Sequence, residues 1–299
     1  MTGPTAAGKT AVGVALARRL DAEVVAMDST TIYRRMDIGT AKPTMAERGG
    51  ISHHLIDVIE PWESASVADY REWAGEAVRA VESRGRRVLF VGGTPLYLKA
   101  LLRGLFEGPG SDVERRRRLE HEADAEGDAA LHARLAAVDP VTAARLHPND
   151  RRRVIRALEV FELTGRPLSA FQGEHERPAP TTVPVFALEP PRAALHECIN
   201  RRVRDFFGQG LVEEVRSLQA ADRPLSSVAA QAIGYREVIA MLDGQSTLEE
   251  TIALIQTRTR QFARRQATWF RGLEEVRALP IAPDEDPEAI AERLAGRIG

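Results

Sequence analysis

Cysteine is nearly absent. The 299-residue chain has one, Cys198, which excludes an intrachain disulfide and any zinc site built on cysteines. An excess of charge of one sign is also lacking. With 41 lysines and arginines against 43 aspartates and glutamates, the net charge is −2. No global basic field therefore marks the chain as a nucleic-acid binder, and any such role must rest on local clusters. No apolar run of membrane-spanning length and no signal-like N-terminus appear. The expectation is a soluble cytoplasmic protein with no membrane partner. Internal repeats are lacking too. Lysine is the scarcest charged residue, at three positions only: Lys9, Lys42 and Lys99. Such an arginine bias reflects genomic base composition. A lysine retained against it marks a place where a compact ammonium on a thin stem is wanted. The length suffices for one substantial core, or a core plus a smaller insert.

The hydrophobic pattern predicts a helix over 9–20, with Val12, Leu16 and Leu20 on one stripe, then a buried strand, AEVVAM (22–27), ending at Asp28. Residues 34–64 read as irregular. Ser66 with Asp69 makes a capping box that opens a helix closed by Gly85. RRVLFVGG (86–93) reads as a second buried strand and TPLYLKALL (94–102) as a helix. This βαβ alternation predicts an α/β fold: a parallel sheet flanked by helices, with functional loops at the carboxyl ends of the strands. GPGSD (108–112) breaks the pattern, and residues 112–165 read as helices only, rich in arginine. A loop with RPAP (177–180) follows, and TTVPVFALEP (181–190) returns to strand. The expected organisation is a phosphate-loop α/β core over 1–108 and 181–299, with an all-helical insertion domain over 109–180. Helices near 191–219, 226–243 and 247–271, a short strand at 276–281 and a terminal helix complete the reading.

The first chemical signal is GPTAAGKT (3–10), which fits G-x-x-x-x-G-K-[ST]. Its residues Gly3, Pro4, Thr5, Ala6, Ala7, Gly8, Lys9 and Thr10 would wrap an anion with backbone N–H groups, and the following helix adds its positive end. Lys9 would sit on a phosphate and Thr10 would ligate Mg²⁺. The pattern specifies phosphates, not ATP hydrolysis. The strand VLFVGG ends in glycine rather than the aspartate that positions Mg²⁺ in many nucleoside triphosphatases. The nearby carboxylate is Asp28, in DSTTIY (28–33). It can take a proton from an attacking nucleophile or help hold the metal; its structural alternative is to cap the next turn through its side chain. Only Met1 and Thr2 precede the loop. A strand needs about three to five residues, so the expectation is either a start upstream of Met1 or a sheet with a gap beside the site. His53 and His54 lack further metal-ligand spacing and read as structural.

Several longer motifs occur in one order: GPTAAGKT (3–10), DSTTIY (28–33), MDIGTAKP (36–43), HHLIDV (53–58), GGTPLYLKALL (92–102), HPNDRRRVIRALEV (147–160), QAIGYREV (231–238) and TRQFARRQATWFR (259–271). Together they resemble the tRNA dimethylallyltransferase (tRNA isopentenyltransferase) family. The resemblance implies transfer of a dimethylallyl group from its diphosphate to the exocyclic amine of an adenosine beside the anticodon, in tRNAs that read codons beginning with U. The loop would then grip a diphosphate leaving group. Lys9, Thr10 with Mg²⁺, and Asp28 would be the catalytic residues, with the tRNA anticodon stem-loop and dimethylallyl diphosphate as partners and a monomer as the working form. By the same resemblance Asp28, Ser29, Thr30, Thr31 and Thr94 meet the tRNA, as do Arg116 and the stretch Arg152, Arg153, Val154, Ile155 and Arg156. The chain departs from the family at Thr31, often glutamine, at Pro95, usually glycine, and at Arg152, which replaces the glutamine of Q-R-x-x-R.

Read by periodicity alone, Val154, Leu158 and Phe161 form an apolar stripe behind Asn149 or Asp150, while Arg152, Arg156 and Glu159 lie on another face. In the helix after Thr247, Ile252, Ile255, Phe262 and Trp269 form the apolar side, and Arg260, Arg264 and Arg271 gather opposite. A base drawn from its stack calls for a stacking surface; Trp62, Tyr33 and Phe270 are the candidates. The motifs leave other functions open: a small-molecule kinase binding ATP, an adenine-nucleotide prenyltransferase, or a non-catalytic RNA-binding protein.

Overall fold

The structure, a computed structural model, describes residues 1–104, 108–110, 112–172 and 183–298. It divides into two compact units, Met1–Leu102 with Pro180–Gly299, and Arg103–Ala179. The RPAP loop and the first two residues of the expected 181–190 strand lie outside the described residues.

The first unit is built on parallel strands. Helix α1 (Lys9–Leu20) leads into β1 (Ala22–Met27), all six residues of which are buried. The irregular stretch after it holds a short helix, α2 (Met45–Arg48), and a two-residue strand, β2 (His53–His54). Ser66 and Asp69 form the expected reciprocal cap of α3 (Val67–Glu82). β3 (Arg87–Gly92) and α4 (Pro95–Arg103) follow. β1 pairs in parallel with β2 on one side and β3 on the other. After the second unit, β4 (Val185–Glu189) pairs in parallel with β5 (Val276–Pro280). Between them run α10 (Arg192–Gly208), α11 (Leu211–Gln219), α12 (Ser227–Ala230), α13 (Tyr235–Leu242) and α14 (Leu248–Arg271), and α15 (Pro287–Ala295) ends the chain. The fold is mixed α/β with parallel pairing.

No gap opens where the short N-terminus suggested one. The Met1 ammonium donates to the Phe90 carbonyl at 2.7 Å, and the Met1 carbonyl accepts from Gly92 N–H. On the other side Thr2 N–H donates to the Phe186 carbonyl at 2.7 Å, and the Thr2 carbonyl accepts from Leu188 N–H at 2.9 Å. Met1 and Thr2 thus bridge β3 to β4, and the Thr2 hydroxyl adds a bond to the Gly92 carbonyl. Burial pushes the Met1 amine down to about 5.

Side chains alternate across this surface, as the pleat requires. Phe186 and Leu188 of β4 pack with α1 and α15, whereas Val185 and Ala187 pack with Tyr70 of α3, Tyr97 of α4 and Phe270 of α14. Helices therefore cover both faces, which explains why the strands read as continuous apolar runs.

The second unit contains α5 (Val113–Glu126), α6 (Asp128–Val138), α7 (Pro140–Arg145), α8 (Arg151–Thr164) and α9 (Ser169–Gln172), and no strand among its described residues. Its core includes Leu119, Leu131, Leu135, Val154 and Leu158. Each fully buried leucine contributes about 1.5–3 kcal/mol by transfer alone.

Candidate functional site

The loop at 3–10 turns directly into α1. Gly8 is the N-cap in the left-handed region (φ 79°), where glycine adds no Cβ penalty, and no side chain caps the helix. Ala6 is also left-handed, at φ 64°. Strain of this kind persists where the surroundings over-determine it, as at ligand clamps. The first-turn N–H groups consequently face outward uncapped, an arrangement suited to an anion. Half-buried Lys9 stretches across the loop and donates to the Gly3 carbonyl at 3.0 Å and the Pro4 carbonyl at 2.7 Å. Its third N–H has no partner among the described residues. Burial pushes Lys9 down to about 8; Asp28 opposes the shift and Arg202 adds to it. The Thr10 hydroxyl, half-buried, also has no partner among the described residues.

Asp28 sits just past the carboxyl end of β1, within the electrostatic reach of Lys9. The capping reading of this residue is realised on one oxygen. Oδ1 caps the following turn, accepting from Thr30 N–H at 2.9 Å, the Thr30 hydroxyl at 2.7 Å and Thr31 N–H at 3.4 Å. Oδ2 has no hydrogen bond among the described residues and is free to accept a proton. Ser29 N–H donates to the Thr94 hydroxyl oxygen at 3.0 Å, which fixes the 28–31 loop to the residue just beyond β3. Thr31 is 7% exposed and its hydroxyl oxygen is buried without a partner.

The rest of that loop hangs on two charged anchors. Lys42, 8% exposed, donates to the Tyr33 carbonyl at 2.7 Å, to Asp37 at 2.5 Å and to Asp57 at 2.6 Å. This accounts for the lysine of MDIGTAKP and the aspartate of HHLIDV together. Glu214 of α11 accepts from the N–H groups of Asp37, Ile38 and Gly39 and from the Tyr235 hydroxyl. Replacing Lys42 with methionine leaves two aspartates facing each other and one carbonyl unbonded. The aspartates are more than a third exposed, which screens the repulsion. The expected loss is about 1–3 kcal/mol, read as a lower urea midpoint at unchanged m-value; a midpoint equal to wild type would contradict it.

Arg202 of α10 was not singled out from the sequence. It lies close enough to Lys9 to depress that ammonium, burial lowers its own proton affinity, and no hydrogen bond or ion pair holds it among the described residues. A second desolvated cation beside Lys9 fits an anion carrying more than one phosphate. In so arginine-rich a chain nothing local distinguished it.

Among the expected tRNA contacts, the structure separates surface from core. Arg152 and Arg153 are exposed; Arg153 pairs with Asp150 at 3.2 Å. Arg116 and Arg156 converge on Glu159, which is fully buried. Glu159 therefore does not belong to a solvated arginine face. Val154 and Ile155 require correction: they are 0% and 4% exposed in the core of the helical unit. Their helix turns them inward by the same periodicity that turns Arg152 and Arg153 out, so their side chains have no surface to offer. Tyr33 and Phe270, at 0% and 2% exposure, are core residues, and the Trp62 ring has Arg35 over it at 5.0 Å. In α14 the buried positions are Thr251, Ile255, Ala263, Gln266 and Phe270; of the expected apolar side Ile255 is buried and Ile252 packs against the same core, while Trp269 is 40% exposed. His54 pairs with Glu23 at 2.7 Å, a structural role. Among the described residues no cluster of three or more His, Cys, Asp or Glu could hold a metal, and no helix is long and apolar enough to cross a membrane.

The model for the IPP transferase family matches residues 31–273. A tRNA dimethylallyltransferase of Geobacter metallireducens is 50% identical over 275 residues, covering 92% of this chain and 89% of that protein. The crystal structure of the full-length tRNA isopentenylpyrophosphate transferase from Bacillus halodurans superposes with a TM-score of 0.72 at 39% identity, covering 99% of this chain and 95% of the other. A eukaryotic dimethylallyltransferase acting on tRNA gives a TM-score of 0.76 at 26% identity, with 93% and 72% covered.

Proposed function

The chain belongs to the IPP transferase family, and from that premise we propose that it transfers a dimethylallyl group from dimethylallyl diphosphate to the N6 amine of the adenosine adjacent to the anticodon in tRNAs reading codons that begin with U. The observation that carries the reading is Asp28, one carboxylate oxygen of which accepts no hydrogen bond among the described residues, within electrostatic reach of the Lys9 ammonium at an uncapped helix N-terminus. Residues 3–10 bind the diphosphate through loop N–H groups, Lys9 and Arg202. The amine nitrogen attacks the allylic C1; the N–C bond forms as the C–O bond breaks, and diphosphate departs with the electron pair. The amine proton passes to Asp28 Oδ2. Loop amides and Lys9 stabilise the charge that gathers on the leaving group, where such fixed donors act most strongly.

The Thr10 hydroxyl is an oxygen donor of the kind Mg²⁺ takes beside substrate phosphates. It would hold Mg²⁺, which would supply further charge neutralisation at the diphosphate. Ser29, Thr30 and Thr94 meet the tRNA at this site, whereas the buried Thr31 hydroxyl offers it no surface. In the unit Arg103–Ala179, read as the tRNA-binding insertion, exposed Arg152 and Arg153 offer cations to RNA phosphates. The enzyme acts as a monomer in the cytoplasm.

The test is a transfer assay with an anticodon stem-loop and free AMP side by side, with Mg²⁺ and labelled donor. Label in the stem-loop alone is expected. Label in AMP would select the free-nucleotide reading, and ATP-dependent phosphate transfer the kinase reading. The pH response follows from Lys9. The ammonium is protonated below about 8 and neutral above it, so its grip on diphosphate is present below that pH and lost as pH rises through it. Inorganic diphosphate affinity is expected to weaken by up to about tenfold per unit above this point. A Lys9→Met variant shares the ligand's own ionisation but lacks this limb; parallel curves for the two proteins would contradict the assignment.

A further inference from the structure

We propose that Gln266, on the inward face of α14, is a positioning residue that holds the diphosphate loop at a fixed spacing from the acceptor loop. The proposal rests on the transfer reading above.

Gln266 is 3% exposed and satisfied at both ends of its amide. Oε1 accepts from Thr5 N–H at 2.8 Å, and Nε2 donates to the Gly93 carbonyl at 2.6 Å. The orientation is fixed chemically, because a flipped amide would set NH₂ against N–H and oxygen against carbonyl. Both partners matter. Thr5 is the third residue of the 3–10 loop. Gly93 follows β3 and precedes Thr94, whose hydroxyl accepts from Ser29 N–H and whose own N–H donates to the Met27 carbonyl. One side chain therefore links the donor loop to Gly93, next in the chain to the residue that anchors the acceptor loop beside Asp28.

Gly93 is shaped for this contact. A Cβ there would meet Gln266 Nε2 at 2.7 Å and Lys9 Nζ at 3.3 Å. The glutamine amide and the Lys9 ammonium thus border the same small volume. The separation of 261 residues between Gln266 and Thr5 also explains why the far end of the chain carries TRQFARRQATWFR. Its buried glutamine closes the site that GPTAAGKT opens.

The reacting atoms belong to two substrates held on two loops. An error of about 1 Å in their spacing can lower the rate about 100-fold, while each loop still binds its own ligand. The experiment uses full-length Gln266→Ala and the near-isosteric Gln266→Glu, which keeps an acceptor for Thr5 N–H. Turnover, KM for the donor, stem-loop binding and thermal midpoint are measured for each. In both folded variants kcat is expected to fall about 10- to 100-fold with donor KM and stem-loop affinity within twofold of wild type. If Gln266→Ala fails to fold, Gln266→Glu decides. A folded Gln266→Glu protein with wild-type kcat, or one that loses kcat and stem-loop affinity equally, overturns the proposal. A wild-type protein that transfers nothing overturns the transfer reading instead, so the two failures are distinguishable.

Discussion

Replacing Asp28 with asparagine is expected to lower kcat by about 10²–10⁴-fold, the range for removing a positioned general base, with stem-loop affinity within twofold of wild type. Asparagine is the informative substitution because the two carboxylate oxygens have different work. Oδ1 accepts from Thr30 N–H, the Thr30 hydroxyl and Thr31 N–H, and an amide oxygen can accept all three. Those donors dictate the amide's orientation, so NH₂ lands where Oδ2 was. The turn survives, the proton acceptor is lost, and a donor confronts the incoming amine. Alanine would remove the cap as well and confuse a disordered loop with lost chemistry. A single-turnover assay with labelled donor, alongside stem-loop binding, checks the split. Turnover within threefold of wild type would remove Asp28 from the proton-transfer role, and equal losses of binding and turnover would make it a loop anchor only.

The parts legible in the sequence were those with a local mechanism. The 9–20 helix, the 22–27 strand and the Ser66–Asp69 cap follow from periodicity and reciprocal hydrogen bonding within a few residues. The loop at 3–10 and Asp28 were found because motif and strand end coincide. What escaped was long-range. Periodicity scores apolar residues, so a buried glutamine such as Gln266 is invisible to it, and Trp269, expected on the apolar side of α14, is exposed. Glu159 looked like part of a solvated face because its two arginine partners, Arg116 and Arg156, are separated by 40 positions in sequence. Arg202 gains meaning only when α10 brings it to Lys9. The bonds of Met1 and Thr2 to Phe90, Gly92, Phe186 and Leu188 join residues about 90 to 190 positions apart, which no local pattern displays.

Replacing Lys9 with methionine is expected to lower kcat/KM for the donor by about 10²–10³-fold, the cost of removing one preorganised donor to developing charge. The physical setting separates this loss from unfolding. Burial already disfavours the Lys9 charge, driving it down to about 8 against the pull of Asp28, and its two bonds go to carbonyls of its own loop, Gly3 and Pro4. A methionine leaves the Gly3 and Pro4 carbonyls without this donor, at about 1–3 kcal/mol, but also removes a desolvated cation from a place that resists it; the two offset, so the thermal midpoint should stay within about 2–4 °C, the shift for about 1 kcal/mol in a protein of this size. The folded state tolerates the change and the transition state does not, because the ammonium's main partner is the negative charge that appears as the C–O bond breaks. Arginine should fail to rescue: its planar fork is broader than the ammonium that fits between the Gly3 and Pro4 carbonyls. Steady-state kinetics with varied donor, a melting curve and stem-loop binding on the methionine and arginine variants check each step. A methionine variant within tenfold of wild type, at unchanged midpoint, would assign the leaving-group charge to Arg202 and the loop amides without Lys9.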